Sequence, residues 1–165
     1  MPEAHISSVV LFEADSPADL AEVRMLFLEY QESLNSSRCF QGFETELATL
    51  PGCYAPPAGR LILACDASEA VVGGVGLCRV EPGLCEMKRL YVRANWRGRQ
   101  LGRRLAEAIV ETARGAGYVR MRLHTLTRLT AAIALYRSMG FTELPAAHDG
   151  SSDDDIHMEL DLRTE

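Results

Sequence analysis

The run Cys85-Glu86-Met87-Lys88-Arg89-Leu90-Tyr91-Val92, followed after Arg93-Ala94-Asn95-Trp96 by Arg97-Gly98-Arg99-Gln100-Leu101-Gly102, decides how this chain is read. Leu84 to Val92 has strand character. Behind the second part, Leu101, Leu105, Ile109 and Ala113 recur at helical spacing until Gly115 and Gly117 stop them. A strand that enters a glycine-containing turn and then a helix is a ready-made anion site. The first helix amides have no internal partner, and the helix dipole adds partial positive charge. Gly98 and Gly102 let the backbone approach a ligand with no Cβ in the way, and Arg97, Arg99 and Arg103 supply charge suited to phosphate. The plain alternative is a solvated basic loop ahead of an ordinary helix, because a short glycine motif carries little by itself.

Charge elsewhere supports a local anion site. The chain has 165 residues, 17 Lys and Arg, and a formal net charge of −6. Lys88, Arg89, Arg93, Arg97, Arg99, Arg103 and Arg104 nonetheless fall in one stretch free of Asp and Glu. An acidic protein with one basic segment argues against general binding to nucleic acid. At 47% hydrophobic and 24% charged, residues 1–165 suit one globular domain whose core holds without disulfides or metal. The five cysteines, Cys39, Cys53, Cys65, Cys78 and Cys85, form no C-x-x-C unit and are odd in number. Reduced, mostly buried thiols are therefore expected, with neither a disulfide framework nor a zinc site. Met1-Pro2-Glu3-Ala4-His5 has no basic n-region and no apolar h-region, and no apolar run approaches the ~20 residues that cross a bilayer. The expectation is a cytoplasmic protein with no membrane partner.

Periodicity fills in the remaining elements. Ile6 to Phe12 reads as a strand, and Ser16-Pro17 as the N-cap and first turn of a helix carrying Leu20, Val23, Phe27, Tyr30 and Leu34 on one face. Residues 43–48 add a short helical turn before a Pro/Gly-rich loop, Leu50 to Gly59. Arg60 to Cys65 and Val71 to Val80 are strands, the second containing Gly73, Gly74 and Gly76, which permit close approach of a neighbour. Val119 to Thr125 alternates as a strand, Leu129, Ile133, Leu135 and Met139 mark a helix ending at Gly140, and Phe141 to Leu144 and Ile156 to Leu162 close as strands. The acidic turn Asp149 to Asp155 is a loop. The fold class is α/β (α+β), with a mixed central sheet of about six to seven strands and helices on both faces.

A Walker-type loop would need Gly-Lys-Ser/Thr, and a dinucleotide fingerprint would need G-x-G-x-x-G directly after the first strand; neither is present. The pyrophosphate of another cofactor remains. The run Cys85 to Val92 leading to Arg97 to Gly102 resembles the coenzyme A-binding core of the GNAT family of N-acetyltransferases. Ala132-Ile133-Ala134-Leu135-Tyr136-Arg137-Ser138-Met139-Gly140-Phe141 is similar to that family's later helix–strand motif, in matching order and spacing. Phe40-Gln41-Gly42-Phe43, Leu50-Pro51-Gly52 and Met158-Glu159-Leu160 extend the likeness toward a bacterial branch whose members are often of unknown substrate.

The resemblance implies transfer of an acetyl group from acetyl-CoA to an amine of a small molecule or peptide by direct attack, with no metal. It implies that the backbone of Leu90, Tyr91 and Val92 pairs with the pantetheine arm like an added strand. Arg97, Gly98, Arg99, Gln100, Leu101, Gly102 and Arg103 would hold the pyrophosphate. Gln100 stands where a glycine is commonest in the family, and Leu129 where many relatives carry an Asn. An ammonium with a pKa near ~10 cannot attack a thioester until it loses a proton, so a base and a donor for the departing thiolate are needed. Glu86 is the candidate base, against the plain reading of an ion pair with Lys88 or Arg89. Tyr136 is the candidate acid, against the plain reading of a core tyrosine. A backbone amide near Leu90 or Tyr91, where such strands bulge, would polarise the thioester carbonyl.

Glu29, Tyr30, Phe40 and Phe43 are the candidates for the acceptor side, and Trp96 is expected beside the phosphate loop. His5, His124, His148 and His157 are scattered without metal-ligand spacing, and His124 is expected on the strand face opposite Met121 and Leu123. His148 and the run Asp153 to Asp155 read as exposed loop residues, although either fits an acceptor pocket. The rival to an enzyme is a non-catalytic acetyl-CoA-binding or interaction module with the same fold. A homodimer stays open.

Overall fold

The computed structural model describes residues 8–34, 42–145 and 154–163. Its strands are β1 (Val10–Glu13), β2 (Arg60–Cys65), β3 (Val71–Glu81), β4 (Leu84–Val92), β5 (Arg120–Leu126), β6 (Thr142–Glu143) and β7 (Asp155–Asp161). They form one sheet in the order β1-β2-β3-β4-β5-β7-β6. Neighbours run antiparallel except β4 and β5, which are parallel and joined through a helical crossover. The helices are α1 (Pro17–Leu34), α2 (Phe43–Ala48), α3 (Leu101–Gly115) and α4 (Thr130–Ser138). The expected sheet with helices on both faces is thus observed.

The alternation along the strands explains the two layers. Leu77, Cys85, Met87, Met121, Leu123 and Met158 point to one face, where Leu101, Leu105 and Ile109 of α3 and Tyr136 of α4 cover them. Leu61, Leu63, Val71 and Cys78 point to the other, against Val23, Leu26 and Phe27 of α1, Phe43 of α2 and Tyr54. α1 begins as the sequence predicts: the Asp19 amide donates to Ser16 Oγ at 3.0 Å, and the Asp19 carboxylate accepts from the Ser16 amide at 3.3 Å. This reciprocal cap satisfies helix donors that would otherwise lack a partner.

Beyond α1, the outer face of β5 and β7 carries polar residues. Arg122 donates to Glu159 at 2.7 Å, and Arg120 lies 3.6 Å from the same carboxylate.

Three expectations change. Cys53 and Cys78 are joined in a disulfide, so they are not reduced thiols. The turn Gly52–Tyr54 folds back over β3 and brings their Cα atoms to 5.2 Å, within bridging range. Spacing along the chain, 25 residues, could not reveal that contact. Cys65 and Cys85 are free, with burial pushing the Cys85 thiol up to about 12; Cys39 lies outside the described residues. The strand expected from Phe141 shortens to Thr142–Glu143, because Phe141 turns into the core. The first strand occupies Val10–Glu13 and runs one residue past Phe12. Among the described residues no helix is long and apolar enough to cross a membrane.

Candidate active site

The site begins where β4 and β5 part. They pair at Leu84↔Arg120, Cys85↔Met121 and Glu86↔Arg122, and no further. From Met87 to Val92 the edge of β4 that faces β5 therefore has no strand beside it, although β4 lies mid-sheet. Buried backbone donors and acceptors require partners, so this edge is fitted to receive an extended chain with amides of its own. A cavity of about 420 Å³ opens there, with Leu90, Tyr91 and Val92 on one wall and Thr130, Ala131, Ala132 and Tyr136 on the other. It adjoins a second of about 520 Å³, walled by Val92, Trp96, Arg97, Gly98, Gln100 and residues of α3 and α4.

That second cavity ends at the first turn of α3. Gln100, the N-cap, adopts a left-handed backbone with φ 64°. Glycine takes this conformation without steric cost, which is the physical reason a glycine suits the position. The arginines around the turn are anchored but keep donors in reserve, since a guanidinium has five N–H groups. Arg97 Nε donates to the Val92 carbonyl at 3.0 Å. Arg99 lies 4.9 Å over the Trp96 ring. Arg103 donates to Ser138 Oγ at 2.6 Å. The basic segment is therefore not one patch. Arg93 pairs with Glu29 at 2.9 Å, Arg104 donates to the Val9 carbonyl at 3.1 Å, and Lys88 and Arg89 lie at the opposite end of the cleft.

At that opposite end β4 bulges. Gly76 pairs with Lys88 and Gly74 with Tyr91, so Val75 alone faces both Arg89 and Leu90. Arg89 takes φ 60°. Its guanidinium donates to Glu46 Oε1 at 2.9 Å and Oε2 at 3.1 Å, and Tyr54 donates its hydroxyl to Oε2 at 2.9 Å. Burial alone would push the Glu46 carboxyl up. The Arg89 hydrogen bonds and charge outweigh it, with help from Tyr54 and Lys88, and hold the carboxyl below its usual value. Beside the bulge a cavity of about 110 Å³ is lined by Tyr30, Leu34, Glu86, Lys88, His124 and Leu129, among others.

Comparison with known proteins places this arrangement. The acetyltransferase (GNAT) family pattern matches residues 21–141. An uncharacterized N-acetyltransferase of Schizosaccharomyces pombe is 34% identical over 94% of this chain and 96% of its own. The chain belongs to the GNAT acetyltransferase family.

YjgM of Escherichia coli, an uncharacterized N-acetyltransferase, is 31% identical over 81% of this chain and 80% of its own. The structure of yncA from Salmonella typhimurium with its cofactor acetyl-CoA has the same fold, with a TM-score of 0.72 at 21% identity over 95% of each chain. The likeness thus reaches eukaryotes as well as bacteria. This GNAT chain is an N-acetyltransferase by family, and its free β4 edge and arginine-flanked α3 turn fit a coenzyme A arm and its phosphates.

Most of the residues singled out in the sequence converge on the cleft. Tyr136 is buried on its wall, edge-on to Phe141 at 5.8 Å between ring centroids. Burial, reinforced by nearby Tyr30, pushes the Tyr136 hydroxyl well above the usual tyrosine value. Glu86 marks the point of strand divergence and lies 3.8 Å from Lys88 Nζ, the ion pair that is the plain alternative to a base. Tyr30 lies over Tyr91 at 5.4 Å and borders both the large cavity and the one with Glu86. Leu129 lines both as well, and Trp96 stands beside the α3 turn.

Two acceptor candidates go elsewhere. The Glu29 carboxylate is held by Arg93, and Phe43 is buried beneath Arg89 at 5.2 Å. Phe40, His5, His148 and Asp153 lie outside the described residues.

Sequence reasoning missed two groups. His124 does lie on the face opposite Met121 and Leu123, and that face borders the cavity with Glu86. Its Nε2 is 2.9 Å from Asp155 Oδ1, and its ring stacks on His157 at 4.6 Å. Glu46 sits in a helix of six residues, where nothing in the sequence signals a partner 43 positions away. Among the described residues no group of three or more His, Cys, Asp or Glu could hold a metal ion.

Proposed function

We propose that this chain moves an acetyl group from acetyl-CoA to a primary amine of a small molecule or peptide by direct attack, with Glu86 and Tyr136 handling the protons. The observation that carries the reading is the parting of β4 and β5 at Glu86↔Arg122, which opens one continuous cleft from the α3 turn to Glu86. The thioester supplies an activated acetyl carbonyl when it is bound; the rest falls to this chain.

The backbone of Leu90, Tyr91 and Val92 aligns the pantetheine arm as an added strand. First-turn amides of α3 and the side chains of Arg97, Arg99 and Arg103 hold the pyrophosphate. Glu86, at the acceptor end, attracts an ammonium and accepts its proton directly or through water, which frees the nitrogen lone pair to form the C–N bond. Tyr136 donates its hydroxyl proton to sulfur as the C–S bond breaks, and regains one from the nitrogen, which sheds its excess proton. The phenol is protonated at neutral pH and so has a proton to give, and burial keeps it so at higher pH as well.

A cytoplasmic location is part of the proposal. In that compartment the Cys53–Cys78 pair would be kept reduced, so thiol counting on protein taken directly from cells tests the location and the disulfide together. The function itself is tested by release of free thiol from acetyl-CoA with a panel of amines, amino acids and peptides. Amine-dependent release that Tyr136→Phe strongly slows is expected. Binding of acetyl-CoA without release for any amine would instead favour a non-catalytic binding module.

A further inference from the structure

Resting on that reading, we propose that Glu46 and Tyr54 are positioning residues for the thioester carbonyl: acting through Arg89, they hold the β4 bulge that presents a backbone amide to the acetyl group. Neither belongs to the sequence motifs of the cleft. Glu46 does not line its cavities, whereas Lys88, Arg89 and Leu90 do.

Four observations converge on the bulge. First, Arg89 carries a side chain in a left-handed backbone conformation, φ 60°, that L residues other than glycine seldom adopt. Such a conformation persists where its surroundings over-determine it. Second, Arg89 is 9% exposed, and its guanidinium grips both oxygens of Glu46 through Nε and Nη2. A two-point contact between planar groups fixes orientation as well as distance.

Third, Tyr54 donates to Oε2 of the same carboxylate, and its ring fills the space above Gly76. A Cβ on Gly76 would lie 2.4 Å from the Tyr54 ring, so β3 leaves room for Tyr54 at the residue paired with Lys88, one position before the bulge. Fourth, Cys53, the neighbour of Tyr54, lies against Cys78 of β3 with their Cα atoms 5.2 Å apart, so the Tyr54 turn packs on β3 in either redox state of the pair. A buried ion pair contributes little net stability compared with apolar packing. Here one sits on the one left-handed residue of the strand that borders the cleft, which points to geometry as its role.

The consequence is chemical. Negative charge develops on the carbonyl oxygen as nitrogen attacks, and a donor already aimed at that oxygen stabilises it without reorganisation. Loosening the clamp lets Arg89 relax toward an extended backbone and turns the amide away, while the α3 turn that holds the phosphates is untouched. Turnover should suffer and cofactor affinity should not.

The test is isotope-edited infrared spectroscopy of acetyl-CoA carrying a ¹³C carbonyl, bound to the full chain and to its Glu46→Gln and Tyr54→Phe variants. In the wild type the carbonyl band should fall below that of free acetyl-CoA, as an amide hydrogen bond requires. Glu46→Gln should lose most of that downshift and Tyr54→Phe a smaller part, with calorimetric Kd values for coenzyme A within about twofold of wild type. Thiol release should drop about tenfold in kcat for Glu46→Gln, at unchanged KM for acetyl-CoA.

Should Glu46→Gln fail to fold, Tyr54→Phe, which keeps the ring against Gly76, decides. A wild-type band at the free position, or the full downshift retained in the variants, overturns the proposal while the acetyltransferase reading stands. No binding of acetyl-CoA by the wild type brings down both.

Discussion

The two edges of β4 receive opposite treatment. Toward β3 the strand is paired from Leu84 to Val92, with register shifts at Gly74/Gly76 and at Arg79/Glu81. Toward β5 the pairing stops at Glu86, with six more residues of β4 still to come. A strand inside a sheet ordinarily satisfies both edges with neighbouring strands. Here the first edge fixes the strand in place and the second lines a cleft, so in the proposed reading one element serves as scaffold and as binding site. The two ends of the cleft differ in the same way. At the α3 turn Arg97 is held by the Val92 carbonyl and the Tyr91 ring, Arg99 by the Trp96 ring, and Arg103 by a hydroxyl with Glu107 3.7 Å away. At the bulge, by contrast, Arg89 is buried and locked to both oxygens of one carboxylate.

Substitutions on each side of that comparison should give separable results. The largest expected effect is from Tyr136→Phe, which removes the proposed proton donor on the α4 wall facing the open edge. Amine-dependent thiol release should fall about 100-fold or more with the Kd for coenzyme A nearly unchanged; a wild-type rate would remove Tyr136 from the chemistry. Glu86→Gln should lower kcat/KM for the amine by about tenfold or more, again at constant affinity for coenzyme A. Arg103→Ala should weaken coenzyme A by about tenfold and leave pantetheine, which lacks the pyrophosphate, unaffected. Equal weakening of both ligands would place the phosphates elsewhere. The smallest effect belongs to Gln100→Gly. It relieves a left-handed side-chain position and should raise stability by at most about 1 kcal/mol in a denaturant melt.

The two ends also differ in their response to pH. Glu46 has a depressed folded value, so its contribution is present above the ordinary 4.5 and is lost as pH falls through that lower value. The clamp on the bulge should therefore outlast mild acidification. Tyr136 has a raised folded value, so the stability tied to its neutral form is complete below the ordinary 10 and is lost as pH rises through the higher one. Ultraviolet difference titration of wild type against Tyr136→Phe should show no phenolate from this residue at pH 10, the value at which an ordinary tyrosine is half ionised.

Much of this was legible in the sequence, for reasons that can be named. Local signals locate what local physics builds: the Ser16 cap, the helical spacing behind Gln100, the alternation of β5, and the turn that ends α4 at Gly140. The end of the cleft proposed for the cofactor comes from one stretch, Leu90 to Arg103, so its residues could be singled out together in the sequence. The opposite end, proposed for the acceptor, is assembled from α1, β4 and β5, with α2 and β7 behind it. Its members meet through sheet register, as His124 meets His157, or through one long-range ion pair, as Arg89 meets Glu46. Neither leaves a pattern along the chain. The Cys53–Cys78 contact is hidden for the same reason, and Glu29 reads as a pocket residue until Arg93 is seen to hold it.

Residue-resolved amide hydrogen exchange, with and without coenzyme A, tests most directly whether the open edge of β4 is the cofactor's docking strand. The account predicts new protection at amides within Leu90–Val92 and Arg99–Arg103, with β2 and β3 unchanged. Tight binding that leaves Leu90, Tyr91 and Val92 exchanging as before would contradict it.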